Sequence, residues 1–131
     1  MTVDRLLDAD FLIARWQDGE GSAASRWLET HGGLRLGIPW IVKGEFLRAA
    51  VTAGHDPAPF ATMLSRYPTV WPDDEGILLY AALSREVSRF VPAPPATWIW
   101  IAAAAARSGV PIVTRRLGMF RAVGGFSCEA F

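Results

Sequence analysis

The sequence predicts one α/β domain built on a mainly parallel sheet of about four to five short strands, with helices on both faces. Three observations carry this reading. Short apolar stretches bounded by turn residues alternate along the chain with helical stripes. The 131 residues suit one compact domain spanning 1–131. Hydrophobic residues make up 51% and charged residues 20%, the balance of a chain that packs a core and not of a disordered or fibrous one.

Val3 to Leu7 reads as a short buried strand that ends in Asp8-Ala9-Asp10. Phe11, Leu12, Ile13 and Trp16 then follow helical spacing. Gly19-Glu20-Gly21 breaks that helix, and Ser22 is placed to cap a second one running to about Thr30. Leu34 to Ile38 reads as a strand after the His31-Gly32-Gly33 turn. Beyond Pro39, the positions Ile41, Val42, Phe46, Leu47, Ala50 and Val51 form one helical stripe that stops near Gly54.

Asp56-Pro57 opens a further helix with Phe60, Met63 and Leu64 on its inner side, and Thr69-Val70-Trp71 reads as a short strand. The acidic run Asp73-Asp74-Glu75 sits where a helix start favours negative charge, and that helix should reach about Phe90. Pro92, Pro94 and Pro95 mark an irregular connection within the domain. Thr97 is expected to cap an alanine-rich helix to Ser108, Gly109 to end it, and Pro111-Ile112-Val113 to form a buried parallel strand. In such sheets ligands bind at the carboxyl ends of the strands.

Several function classes fall away. Thirteen basic residues balance thirteen acidic ones, so nucleic-acid affinity must come from a local patch. Cys128 is the single cysteine, which rules out an intrachain disulfide and a thiolate zinc cage. The longest apolar run, Trp98 to Ala106, is about half the length of a bilayer-spanning helix, so no membrane partner and a cytoplasmic location are expected. No Gly-rich phosphate loop occurs, and His31 and His55 lie in turns, where both read as surface residues.

Three segments carry chemistry. Leu6-Leu7-Asp8-Ala9-Asp10-Phe11 puts two carboxylates at a strand end, where they read equally as caps of the first helix or as pocket acids. Ile38-Pro39-Trp40-Ile41-Val42-Lys43-Gly44-Glu45-Phe46-Leu47 carries Glu45 on a helix among apolar neighbours, a setting in which a carboxylate needs a partner. The third runs from Thr97-Trp98 through Gly109-Val110-Pro111-Ile112-Val113-Thr114-Arg115-Arg116 to Met119-Phe120. Trp98 and Trp100 differ by two positions and so face opposite sides of their helix, one toward the core and one toward the pocket.

In this order and spacing, and with the tail Val123-Gly124-Gly125-Phe126-Ser127-Cys128, the segments resemble the PIN-domain family, most closely the VapC-type toxins of toxin–antitoxin pairs. The resemblance spans nearly the whole chain and implies a three-layer α/β/α fold. It also implies an endoribonuclease in which carboxylates hold Mg²⁺ or Mn²⁺ to activate water against an RNA phosphodiester. Asp8 and Glu45 stand at the first two family acids and are the implied catalytic and metal-binding residues.

Trp98 stands where the family's closing helix opens with an Asp, and Met119 stands where the fourth acid is expected. Indole and thioether offer nothing to a hard cation, so metal binding is expected to be weak or absent and activity weak or lost. Arg116 is expected to stand in the metal's place by bridging Asp8 and Glu45. Trp98, Thr114 and Arg116 are the implied RNA contacts, Trp98 as a stacking platform. The implied partners are RNA, an antitoxin-like protein and a second copy of the chain. The alternative function is a catalytically silent PIN-fold module that binds RNA, an antitoxin-like peptide or its own copy.

Overall fold

The computed structural model describes residues 2–131; Met1, counted in the expected domain, lies outside the described residues. The elements run β1 (Arg5–Leu7), α1 (Ala9–Asp18), α2 (Ala23–Thr30), β2 (Leu36–Pro39), α3 (Trp40–Thr52), α4 (Ala58–Leu64), β3 (Thr69–Val70), α5 (Asp74–Val87), α6 (Ala96–Ser108), β4 (Ile112–Val113), α7 (Leu117–Val123) and β5 (Cys128–Glu129). The strands form a five-stranded sheet in the order β3-β2-β1-β4-β5. Every pairing is parallel. This is the PIN-like α/β architecture anticipated above, at the upper end of the expected strand number.

Connectivity fixes the layers. From β1 to β2 to β3 the chain steps one way across the sheet, and from β3 to β4 to β5 it steps back the other way. Right-handed crossovers therefore put α1 to α4 on one face and α5 to α7 on the other. The packing agrees: α1 contacts α2 and α3, whereas α5 contacts α6 and α7. The exception is α3 with α6, which meet although they belong to opposite layers. The direction reverses between β1 and β4, and such a switch point opens a crevice at the carboxyl ends of the strands.

Local chemistry explains most element boundaries. Ser22 Oγ accepts from the Ser25 amide at 3.1 Å and Asp73 Oδ1 from the Gly76 amide at 2.8 Å, so α2 and α5 begin as expected. Gly109 ends α6 in the left-handed conformation, φ 71°. Thr97 does not cap α6. The helix starts at Ala96 behind an extended Pro95 with no side-chain cap, because proline fixes the entry and needs no amide partner. Gly37 leaves room in β2 for Val3, whose Cγ1 would lie 2.9 Å from any added Cβ. No described helix is long and apolar enough to cross a membrane.

The core lies on the sheet and beneath these helices: Leu6, Leu7, Ile38, Ile112 and Val113 from the strands, Phe11 from α1, Phe46 from α3, Ile101 from α6 and Phe120 from α7. Phe46 meets Trp16 and Phe60 edge to face at centroid distances of 5.8 Å each, which ties α3 to α1 and α4. His31 is half-buried and stacked on Trp27 at 4.1 Å, so it is less exposed than its turn position suggests.

Candidate carboxylate site at the sheet switch point

Asp8 and Thr114 are neighbours because of register. Leu7 pairs with Val113, so the next residue on each strand leaves the sheet side by side at its carboxyl edge. Both are completely buried. The Thr114 hydroxyl donates to Asp8 Oδ2 at 2.7 Å and lies 3.3 Å from Asp10 Oδ2, which also accepts from the Arg115 amide at 2.8 Å. Asp8 is the N-cap of α1 and its Oδ1 accepts from the Ala9 amide at 2.7 Å. The cap and the pocket acid are thus one residue, whereas Asp10 turns to the β4 loop instead of capping.

Arg116 closes on Asp8 from the loop after β4. Its Nε donates to Oδ2 at 3.0 Å and its Nη2 to Oδ1 at 2.5 Å, a bidentate pair. Its guanidinium carbon lies 5.4 Å from the centre of the Phe120 ring. Burial alone would lower the Arg116 pKa, but the hydrogen bonds and charge of Asp8, with the charges of Asp10 and Glu45, together outweigh it and carry the group above its ordinary value. The Arg116 amide, meanwhile, donates to Thr114 Oγ1 at 2.9 Å, which fixes the loop that presents the side chain.

Glu45 projects from α3 one helical turn after buried Val42. Its Oε1 is buried without a hydrogen-bond partner, as are Asp10 Oδ1 and Trp98 Nε1. Burial pushes the Glu45 pKa up, with Arg116 and Arg48 opposing and Asp8 reinforcing. Burial, then the Asp8 charge, also raises Asp10 against the opposing Arg115 amide, Arg116 and Thr114. The Glu45 shift gives a checkable pH effect. A carboxyl whose folded pKa lies above its unfolded value adds stability below the unfolded value and loses it as pH rises through the folded one. Glu45→Gln should therefore raise the melting temperature at pH 7, by about 2 °C, and the gain should vanish in scans below about pH 4.

A hard divalent cation does not fit Asp8 as it stands. A carboxylate offers about four lone-pair sites. Those of Asp8 receive the Ala9 amide, the Thr114 hydroxyl and two guanidinium N–H groups, which fill them. Among the described residues, no three His, Cys, Asp or Glu side chains are arranged to hold a metal ion.

Two of the expected RNA contacts are enclosed in the structure. Trp98 is 4% exposed and packs edge to face on Phe120 at 6.1 Å, so it has no free ring face for a base. The Thr114 hydroxyl is enclosed and committed to Asp8. The expected bridge by Arg116 is half made, since it bonds Asp8 but no hydrogen bond joins it to Glu45. Trp100, on the other side of α6, stacks on Tyr80 at 3.9 Å and belongs to an aromatic cluster with Trp40 and Trp71. Asp10, read from the sequence with Asp8 as a cap or a pocket acid, was not named among the implied site residues, although its two-residue spacing from Asp8 was the available signal.

No protein-family model matches the sequence, and no curated protein matches it. Solved structures do. A DNA-bound VapBC from Salmonella typhimurium matches with a TM-score of 0.82 at 18% identity, covering 98% of this chain and 98% of the other. VapBC2 from Rickettsia felis, bound to a promoter DNA fragment, gives 0.81 at 17% identity over 97% and 98%. VapBC-5 from Mycobacterium tuberculosis, a member of the VapBC family of toxin–antitoxin systems, gives 0.63 at 20% identity over 98% of both chains. Over nearly its full length, then, the chain has the PIN-like fold found in VapBC toxin–antitoxin complexes.

Proposed function

We propose that this chain is a PIN-fold binding protein of the toxin–antitoxin type, acting in the cytoplasm, whose metal-assisted RNA cleavage is weak or lost. The observation that carries the reading is the filled coordination of Asp8, where the bidentate Arg116 guanidinium takes the place a divalent cation would need. Fold likeness to chains of VapBC complexes supports an antitoxin-like protein as partner. Exposed Trp71, Ile77 and Leu78 supply apolar surface suited to a second copy of the chain.

The enzymatic reading keeps one specific support. Asp10 and Glu45 each retain an oxygen without a hydrogen-bond partner beside the Asp8–Arg116 pair. Incubation of the purified chain with structured and single-stranded RNA, in Mg²⁺ and separately in Mn²⁺, decides between the two. The expected result is no cleavage above a chelated control, together with a stable complex when the chain is co-expressed with the product of an adjacent antitoxin-sized reading frame. Cleavage by the natural chain that disappears in Glu45→Gln would establish the ribonuclease instead.

A further inference from the structure

We infer that the switch-point cleft is a guanidinium site: Asp8, Thr114 and Phe120 form a receptor for a planar cation, and Arg116 occupies it permanently as the resident positive charge. The inference deepens the reading above and rests on it. Three features distinguish such a receptor from a metal site. The acceptor edge is a single carboxylate engaged in parallel by Nε and Nη2, a pattern that matches a planar fork and not a sphere. Thr114 Oγ1 and the Ala9 amide take the other lone pairs of Asp8 and aim the carboxylate at the fork. The Phe120 ring sits 5.4 Å from the guanidinium carbon, where its quadrupole favours a weakly hydrated cation and gives a strongly hydrated divalent ion nothing.

The two-sided clamp has a structural consequence. Asp8 directly follows β1, while Thr114 and Arg116 follow β4, so the pair fastens the two strands between which the sheet order reverses. In this chain a covalently attached cation thus cross-links the two strands.

Arg116→Ala opens the receptor, and methylguanidinium is the probe. At sub-denaturing concentration it should raise the melting temperature of Arg116→Ala by about 3 °C, since a ligand that binds only the folded state stabilises it by mass action. Ammonium chloride at equal ionic strength should not do so, and the natural chain, its receptor already filled, should gain nothing from methylguanidinium. An equal response of both proteins, or none in the variant, overturns the inference. A second measurement stands if Arg116→Ala does not fold. Electron paramagnetic resonance of Mn²⁺ mixed with the natural chain should show the free-ion signal undiminished, and loss of that signal overturns the inference. Manganese binding without RNA cleavage would remove this inference and leave the proposed function standing, whereas metal-independent RNA cleavage would do the reverse.

Discussion

Trp98→Asp, which would place a carboxylate in the first turn of α6, should cost the protein much of its stability instead of creating a metal site. Trp98 is 4% exposed, packs on Phe120 and belongs to the main core with Ile101, Ala102 and Ala105 of the same helix. Truncating a buried indole costs about 3–5 kcal/mol through lost transfer energy and the cavity left behind, and a carboxylate placed there adds the penalty of a buried charge. A loss of about 4 kcal/mol or more is therefore expected from urea unfolding, seen as a lower midpoint at unchanged slope. Trp98→Phe separates packing from polarity. It keeps most of the ring and removes an indole N–H that has no partner, so it should cost less than about 1.5 kcal/mol. Comparable losses in both variants would show that Trp98 is not held by the packing described. An attempt to introduce metal chemistry by acidic replacement at this position is also a test of whether the fold survives, and activity has to be read alongside a folded-state signal.

The same residue shows where the sequence stops being readable. Strand and helix alternation is a local property, encoded in apolar runs such as Leu6-Leu7 and Ile112-Val113 and in stripes such as Val42, Phe46 and Ala50, and it was legible residue by residue. Boundaries set by one atom's partner were less so, as with Thr97, whose hydroxyl fits a cap that Pro95 forestalls. β5 spans only Cys128–Glu129, too short for any period, and it exists because β4 offers an open edge. Glu45 stood out as a charge in an apolar setting that needs a partner, whereas Asp8 and Arg116 were singled out through the family resemblance. Which partner each finds depends on register and helix rotation, which sequence spacing does not specify. Two residues of separation told that Trp98 and Trp100 face opposite ways, but not that the inward one would be sealed against Phe120.

Arg116→Met should destabilise the protein by about 3–5 kcal/mol, because it strands a charge that has nowhere to go. Asp8 is fully buried, and its carboxylate would keep the Ala9 amide and Thr114 hydroxyl but lose both guanidinium bonds. Asp8→Asn attacks the same pair from the other end and should cost less, about 2 kcal/mol. The amide keeps the carboxylate's shape, the Thr114 hydroxyl can rotate to accept from it, and the Arg116 side chain, 35% exposed, can turn its freed charge to water. The asymmetry follows from burial, not from the pair's strength, because a lost partner is expensive in proportion to how completely its counterpart is sealed. With both replaced, no charge is left to strand, so the double variant should be more stable than the sum of the single losses predicts by about 2 kcal/mol. Additive losses in that cycle, measured by urea unfolding of all four proteins, would mean that Arg116 and Asp8 stabilise the switch point independently and that the bidentate pair is not what fastens β1 to β4.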